Sequence, residues 1–184
     1  NPQQTWSELG KTWIMTSPNI PTPESLYVYP GMVLFEATNV SEGRGTTLPF
    51  QLIGAPYIES EYDLADMVSA KLDCTSGVIL RPVRFKPTSG KWAGCVCKGV
   101  HLHVTDAKII KSVNLAVVLI RAFMELGGHH FEFKSPPYEY EYLRQPLDLI
   151  LGLKKSSTVI KNKNEPKGDD TLNNHNGKQY LDSI

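Results

Sequence analysis

Between Ala107 and Leu126, apolar side chains recur at Ile109, Val113, Ala116, Val117, Ile120, Phe123 and Met124. Steps of three and four place them on one broad face of an α-helix, and that face must be covered by another layer. Asp106 stands at the N-cap position of this predicted helix and Gly127-Gly128 at its C-cap. Upstream, residues 95–105 alternate: Val96, Val100, Leu102 and Val104 against Cys95, Cys97, His101 and His103. A two-residue period is a strand with unlike faces. A strand leading into an amphipathic helix points to a sheet with helices packed on it.

The other elements follow the same logic. Residues 78–85 read as a strand in which Pro82 marks an edge or a bulge. Leu64, Ala65, Val68 and Leu72 give residues 61–72 helical spacing, with acidic residues in the first turn. Residues 32–35 and 50–53 are short apolar runs read as strands, with a turn at Gly54-Ala55-Pro56, and 130–133 is a third short strand. A helical turn is expected near 147–151. The prolines of residues 1–30 favour extended backbone that wraps the domain. From Lys154 the composition becomes polar, so residues 154–184 are expected to be disordered or weakly docked, leaving one domain over 1–153. The expected class is α+β (mixed α/β), a mixed sheet with helices packed on it.

The 184 residues suffice for one domain with a sizeable core. Formal net charge is zero, which gives no basic footprint for nucleic acid. The charge is nonetheless uneven: residues 1–66 carry −6 and the remainder +6. No apolar run reaches the roughly 18–20 residues of a membrane span. Three cysteines, Cys74, Cys95 and Cys97, do not make a full disulfide framework and read as three reduced or buried thiols; a bridge from Cys74 to one of the others stays open. The chain begins at Asn1 rather than Met, so an upstream segment is expected.

The densest chemistry lies in residues 36–47, Glu-Ala-Thr-Asn-Val-Ser-Glu-Gly-Arg-Gly-Thr-Thr. Two carboxylates, a guanidinium, a carboxamide and four hydroxyls occupy one loop between apolar runs. Gly43 and Gly45 permit close backbone approach. Arg44 can fork onto a carboxylate or phosphate, and Asn39, Ser41 and Thr46 can exchange hydrogen bonds with sugar hydroxyls. Glu36 and Glu42 are candidates for paired acid–base work, as glycosidases use two carboxyls roughly 5–10 Å apart. A structural loop, in which Arg44 pairs with Glu42 or Glu36 and the hydroxyls cap backbone, stays open beside this.

Other constellations are weaker. Cys95, Cys97, His101 and His103 share a face, but eight residues of strand span roughly 26 Å, too far for one ion, so no metal is expected. A metal-dependent hydrolase using His101 and His103 is a third reading. His129-His130 fits a helix end. Tyr138, Tyr140 and Tyr142 alternate with glutamates; on a strand they would share one face able to stack on sugar rings, and core or edge packing stays open beside this.

Several stretches together resemble one family. Trp13-Ile14-Met15-Thr16-Ser17-Pro18-Asn19-Ile20-Pro21-Thr22, Tyr29-Pro30-Gly31, the run from Glu36 to Phe50, Gly54-Ala55-Pro56-Tyr57, Arg84-Phe85-Lys86-Pro87-Thr88, Lys91, Gly99 to Asp106, and Arg144 to Leu149 are similar to segments of the NamZ-type exo-β-N-acetylmuramidases. These are peptidoglycan-recycling glycoside hydrolases. The resemblance runs from about residue 6 to about residue 152, with Ala37 where the family usually has glycine; the tail after Gly152 does not resemble the family's usual helical C-terminus.

The resemblance implies the C-terminal domain of a larger two-domain protein. A Rossmann-like N-terminal domain would precede it and carry the principal catalytic glutamate. The present domain would supply one wall of the cleft, with Glu36, Asn39, Ser41, Glu42, Arg44 and Thr46 as substrate contacts and Arg44 clamping a lactyl carboxylate. The implied reaction releases N-acetylmuramic acid from the non-reducing end of peptidoglycan fragments, without a cofactor. The implied location is periplasmic or secreted. A non-catalytic carbohydrate-binding module is the alternative.

Overall fold

The computed structural model describes residues 4, 6–72 and 77–161. Cys74 and residues 162–184 lie outside the described residues, and with them the bridge left open at Cys74 and most of the expected tail. Helix α1 spans Pro23–Met32, β1 Leu52–Ala55, α2 Glu61–Ser69, β2 Val78–Phe85, β3 Cys97–Val104, α3 Ser112–Gly127, α4 Pro146–Leu151 and α5 Ser156–Lys161. Short 3-10 turns cover Trp6–Leu9, Val33–Ala37 and Gly128–His130. No helix of the described residues is long and apolar enough to cross a membrane.

The α+β class expected from the sequence is what forms. The strands pair in the order β1-β3-β2, antiparallel at both ladders rather than mixed. β3 is central, which leaves Pro82 on the edge strand β2, where a residue without an N–H costs the ladder nothing. One sheet face, carrying Val100 and Leu102, packs with α1, α2 and α3 into a single core. From α3 that core takes Leu115, Ala116, Leu119, Ile120 and Phe123, all buried. Each such large side chain stabilises the fold by about 1.5–3 kcal/mol relative to exposure.

Several local expectations are corrected. The proline-rich segment is not extended throughout: it turns at Trp6–Leu9 and again between Ser17 and Ile20, and after Thr22, whose hydroxyl accepts from Ser25 N, Pro23 occupies the first turn of α1. Proline is suited there because that N–H has no helical partner. Residues 32–35 are not a strand. Val28, Met32 and Phe35 stand at i, i+4 and i+7 and are all fully buried, so the helical register carries through into the Val33–Ala37 turn. β1 extends through Gly54 and Ala55 rather than turning there. α3 starts at Ser112; Asp106 instead accepts from Lys108 N in the turn before it. Residues 128–130 form a 3-10 turn, and only an isolated bridge joins Phe133 to Thr38.

The chain does not lose structure at residue 154. Asp148 accepts from Lys155 N and Ser156 N and so caps the start of α5, and Ile160 is buried in the core. Against α3, the α1 backbone comes so close at Gly31 that a Cβ there would sit 1.8 Å from Ser112 O.

Candidate functional site

The loop from Glu36 to Phe50 is held on three sides. Ser41 forms a two-way bridge to Gly54 of β1, with Ser41 N on Gly54 O at 2.9 Å and Gly54 N on Ser41 O at 3.0 Å. Thr38 and Asn39 join the 132–134 segment, Asn39 N donating to Glu132 O at 3.0 Å. On the third side, Thr88 donates through both its N–H and its hydroxyl to Gly45 O. Gly45 has φ +80°, and a Cβ on it would meet Ser89 O at 2.3 Å, so both conformation and space require glycine.

Four charged groups meet inside this frame. Arg44 Nη2 lies 2.5 Å from Glu36 Oε1 and its Nη1 3.0 Å from Glu42 Oε1. Lys91 Nζ lies 2.7 Å from Glu42 Oε2 and donates also to Phe35 O and Val40 O, at 2.6 and 2.9 Å. Tyr138 donates its phenol to Glu36 Oε2 at 2.7 Å. The Arg44 guanidinium stands 4.9 Å from the centre of the Phe50 ring. Glu42 is only 5% exposed, Lys91 and Glu36 15% each, and Arg44, at 34%, is the outermost of the four.

The electrostatics follow from that placement. Burial drives the Glu42 carboxyl up, but the Lys91 charge and hydrogen bonds from Lys91 and Arg44 outweigh it and hold the group below its usual range. Glu42 is therefore an ionised carboxylate at neutral pH and not a proton donor. Burial lowers Lys91 to about 8 despite the pull of Glu42. Burial also acts to lower Arg44, and its bonds to Glu36 and Glu42 raise it overall. Tyr138 is raised by burial and by its bond to Glu36.

The sequence-expected contacts separate into two groups. Glu36, Glu42 and Arg44 come together as one cluster. Asn39, Ser41 and Thr46 turn to the protein instead. Asn39 donates through Nδ2 to His130 O and accepts at Oδ1 from the Tyr57 phenol and Glu132 N. Ser41 Oγ accepts from Gly43 N, and the Thr46 hydroxyl donates to Gly43 O while accepting from Leu48 N. Lys91 and Trp92, which donates to Asn39 O at 2.5 Å, are members that loop composition could not show. No spacing relates Lys91 to Glu42, 49 positions earlier.

The expected tyrosine face does not form. Residues 138–141 make a tight turn closed by a Tyr138–Glu141 bridge, which turns Tyr138 inward and leaves Tyr140 94% exposed. A shallow groove of about 360 Å³ lies along this turn, lined by Tyr138, Glu139, Tyr140, Glu141 and Leu149, and reaches the cluster through Tyr138. On β3, Cys97 opposes Phe85 while His101 and His103 oppose Arg81 and Ile79, so the thiol and the imidazoles sit at different ends of the ladder. No group of three or more metal-ligating side chains occurs among the described residues.

This is an α+β domain that presents a pre-paired carboxylate–guanidinium wall beside an aromatic turn. The family model for the C-terminal part of the exo-β-N-acetylmuramidase NamZ matches residues 27–182, and the chain belongs to that family. The match continues thirty residues beyond the point where the sequence resemblance was expected to end. Over 123 residues, 67% of the chain, it is 44% identical to the peptidoglycan β-N-acetylmuramidase NamZ of Bacillus subtilis (strain 168). It spans 29% of that relative's length. A crystal structure of a DUF1343 family protein from Bacteroides fragilis superposes with a TM-score of 0.73 at 27% identity, covering 87% of this chain and 40% of that one. A second DUF1343 protein from the same organism gives 0.49 at 23% identity, covering 80% and 35%.

Proposed function

We propose that this domain is one wall of the substrate cleft of an exo-β-N-acetylmuramidase that releases N-acetylmuramic acid from the non-reducing end of peptidoglycan fragments. The observation that carries the reading is the 44% identity over 123 residues to a peptidoglycan β-N-acetylmuramidase. The geometry is compatible with it. Glu36, Arg44 and Tyr138 form a polar edge beside an exposed tyrosine turn, a surface suited to a hydroxylated ring. Glu42, ionised and bonded by Lys91 and Arg44, holds Arg44 in place. Glu36 is the carboxylate at the edge, positioned to orient a sugar hydroxyl. The principal catalytic glutamate belongs to a preceding Rossmann-like domain, and the enzyme acts in the periplasm or outside the cell.

The test is hydrolysis of a chromogenic β-N-acetylmuramide by the longer protein carrying this domain, compared with its Glu36→Gln variant. Release of N-acetylmuramic acid, reduced at least tenfold in kcat/KM by the substitution, is expected. Turnover of neither the muramide nor peptidoglycan fragments would overturn the reading.

A second reading is a carbohydrate-binding module without catalysis. The mutual pairing of Glu36, Arg44, Glu42 and Lys91 favours it, because it leaves no uncommitted acid–base pair in the cluster. Saturable glycan binding by a longer protein that hydrolyses nothing would select it.

A further inference from the structure

The face of the sheet opposite the helices carries a second cluster. Val100 and Leu102 face the core, so the alternate residues His101 and His103 lie on the other face, His101 buried there at 7% exposure and His103 exposed. In the register of the ladders, His101 lies between Leu52 of β1 and Arg81 of β2, and His103 opposes Ile79. Directly opposed residues share a face. Arg81 Nη2 lies 3.2 Å from His101 Nδ1, and the two imidazole rings are 3.9 Å apart. A guanidinium can only donate, so His101 Nδ1 accepts and that ring is neutral with its proton on Nε2. Burial, His103 and Arg81 together lower His101 to about 4, in keeping with a neutral ring.

Arg81 differs from the other arginines of the sheet and loop. Arg44 is spent on Glu36 and Glu42, and Arg84 on Glu61 at 2.6 Å. Arg81 is exposed and has no carboxylate partner among the described residues. Among the described residues this cation beside two imidazoles has no counter-charge, and an anionic ligand would supply one. The next residue of β2 on this face, Ile79, is 60% exposed, which sets an apolar surface beside the guanidinium. The polar loop borders the same face: a Cβ on Gly43 would meet Leu52 Cβ at 3.2 Å, and Leu52 is the partner of His101.

We propose that Arg81, flanked by His101, His103 and Ile79, is the carboxylate-reading site of this domain, taking the lactyl group of muramic acid with its carboxylate on the guanidinium and its methyl toward Ile79. This rests on the muramidase reading and moves the clamp from Arg44, both of whose terminal nitrogens are on carboxylates, to an exposed arginine with one terminal nitrogen on the buried His101 ring and no carboxylate partner among the described residues. It also gives a physical basis for distinguishing muramic acid from N-acetylglucosamine, which lacks that group.

The test is an NMR titration of the 184-residue chain with N-acetylmuramic acid and, separately, N-acetylglucosamine, repeated on Arg81→Gln and Arg81→Lys. N-acetylmuramic acid should shift the ring signals of His101 and His103. Its affinity should fall about tenfold or more in Arg81→Gln, as for loss of a charge-assisted bond, and by less in Arg81→Lys, with N-acetylglucosamine unaffected. Unchanged affinity in Arg81→Gln, or equal binding of the two sugars by the wild-type chain, overturns the Arg81 role while the muramidase reading still stands on hydrolysis. A chain that responds to neither sugar also counts against it, since an open surface guanidinium needs no second domain to meet an anion.

Discussion

Lys91 Nζ lies 2.7 Å from Glu42 Oε2 and completes its coordination on two backbone carbonyls, Phe35 O and Val40 O. One amine thus ties the Val33–Ala37 turn, the polar loop and the segment between β2 and β3 together. Removing one partner of a buried ion pair leaves the other charge uncompensated, at a cost of about 3–5 kcal/mol. Lys91→Met is therefore expected to destabilise the domain by that amount in urea unfolding. The double variant with Glu42→Gln should cost less than the two single losses added, because neither charge is then stranded. Additive losses would show that the pair does not act as a unit.

The same pair sets a pH dependence with opposite signs at its two ends. Glu42 is held below its usual 4.5, so its contribution is present at neutral pH and is lost as pH falls through the lowered folded value. Lys91 is lowered from 10.5 to about 8, so between those values the unfolded chain holds the extra proton and stability rises with pH through this group. Urea midpoints should therefore fall in acid, below about pH 4, more steeply in the wild type than in Glu42→Gln. From pH 8 to 10 the wild type should gain relative to Lys91→Met. Parallel curves at both ends would refute the assignment.

Gly45 and Gly152 both have positive φ, +80° and +68°, but only Gly45 is crowded. Alanine at Gly152 meets nothing within 4 Å and should cost about 1–2 kcal/mol, the strain of the left-handed region. At Gly45 the same strain is joined by a clash with Ser89 O at 2.3 Å. Thermal melts should show Gly45→Ala clearly lower than Gly152→Ala. Equal losses would mean that the loop is not braced by the Thr88–Ser89 segment.

Tyr138→Phe removes one hydroxyl and leaves its ring. Under the proposed muramidase reading it should lower kcat/KM for a muramide by about tenfold in a longer protein carrying this domain, with unfolding changed by about 1 kcal/mol, the worth of one hydrogen bond. A loss of stability with no change in kinetics would make Tyr138 a packing residue only.

What was legible in the sequence was local. β2 spans the residues 78–85 read as a strand, with Pro82 on the edge as expected, and α2 and α4 lie within or beside their expected spans. Met32–Phe35 failed because a four-residue apolar run fits either a strand or a buried helix end, and Val28, which decides the register, lies outside the run. Asp106 looked like a helix cap, but its side chain closes a turn two residues long instead. The Glu36–Thr47 loop stood out by composition, and its charged members do converge. Lys91 and the Arg81–His101 contact were not visible as partners, since each pairing is made by the tertiary register of the chain.

Asn39 separates a structural role from a ligand-binding one. Its side chain fixes His130 O at 2.7 Å, the Tyr57 phenol at 2.9 Å and Glu132 N at 3.2 Å, so three distant groups lose a partner together when it is removed. At about 1 kcal/mol for each hydrogen bond, Asn39→Ala is expected to cost roughly 2–3 kcal/mol. Ser41→Ala, which gives up one local bond to Gly43 N, should cost about 1 kcal/mol. Measured together with N-acetylmuramic acid affinity, the Asn39 variant should lose stability first and binding only in proportion to unfolding. Loss of affinity at unchanged stability would return Asn39 to the glycan-contacting surface, and would mean that the carboxamide reorients when a sugar arrives.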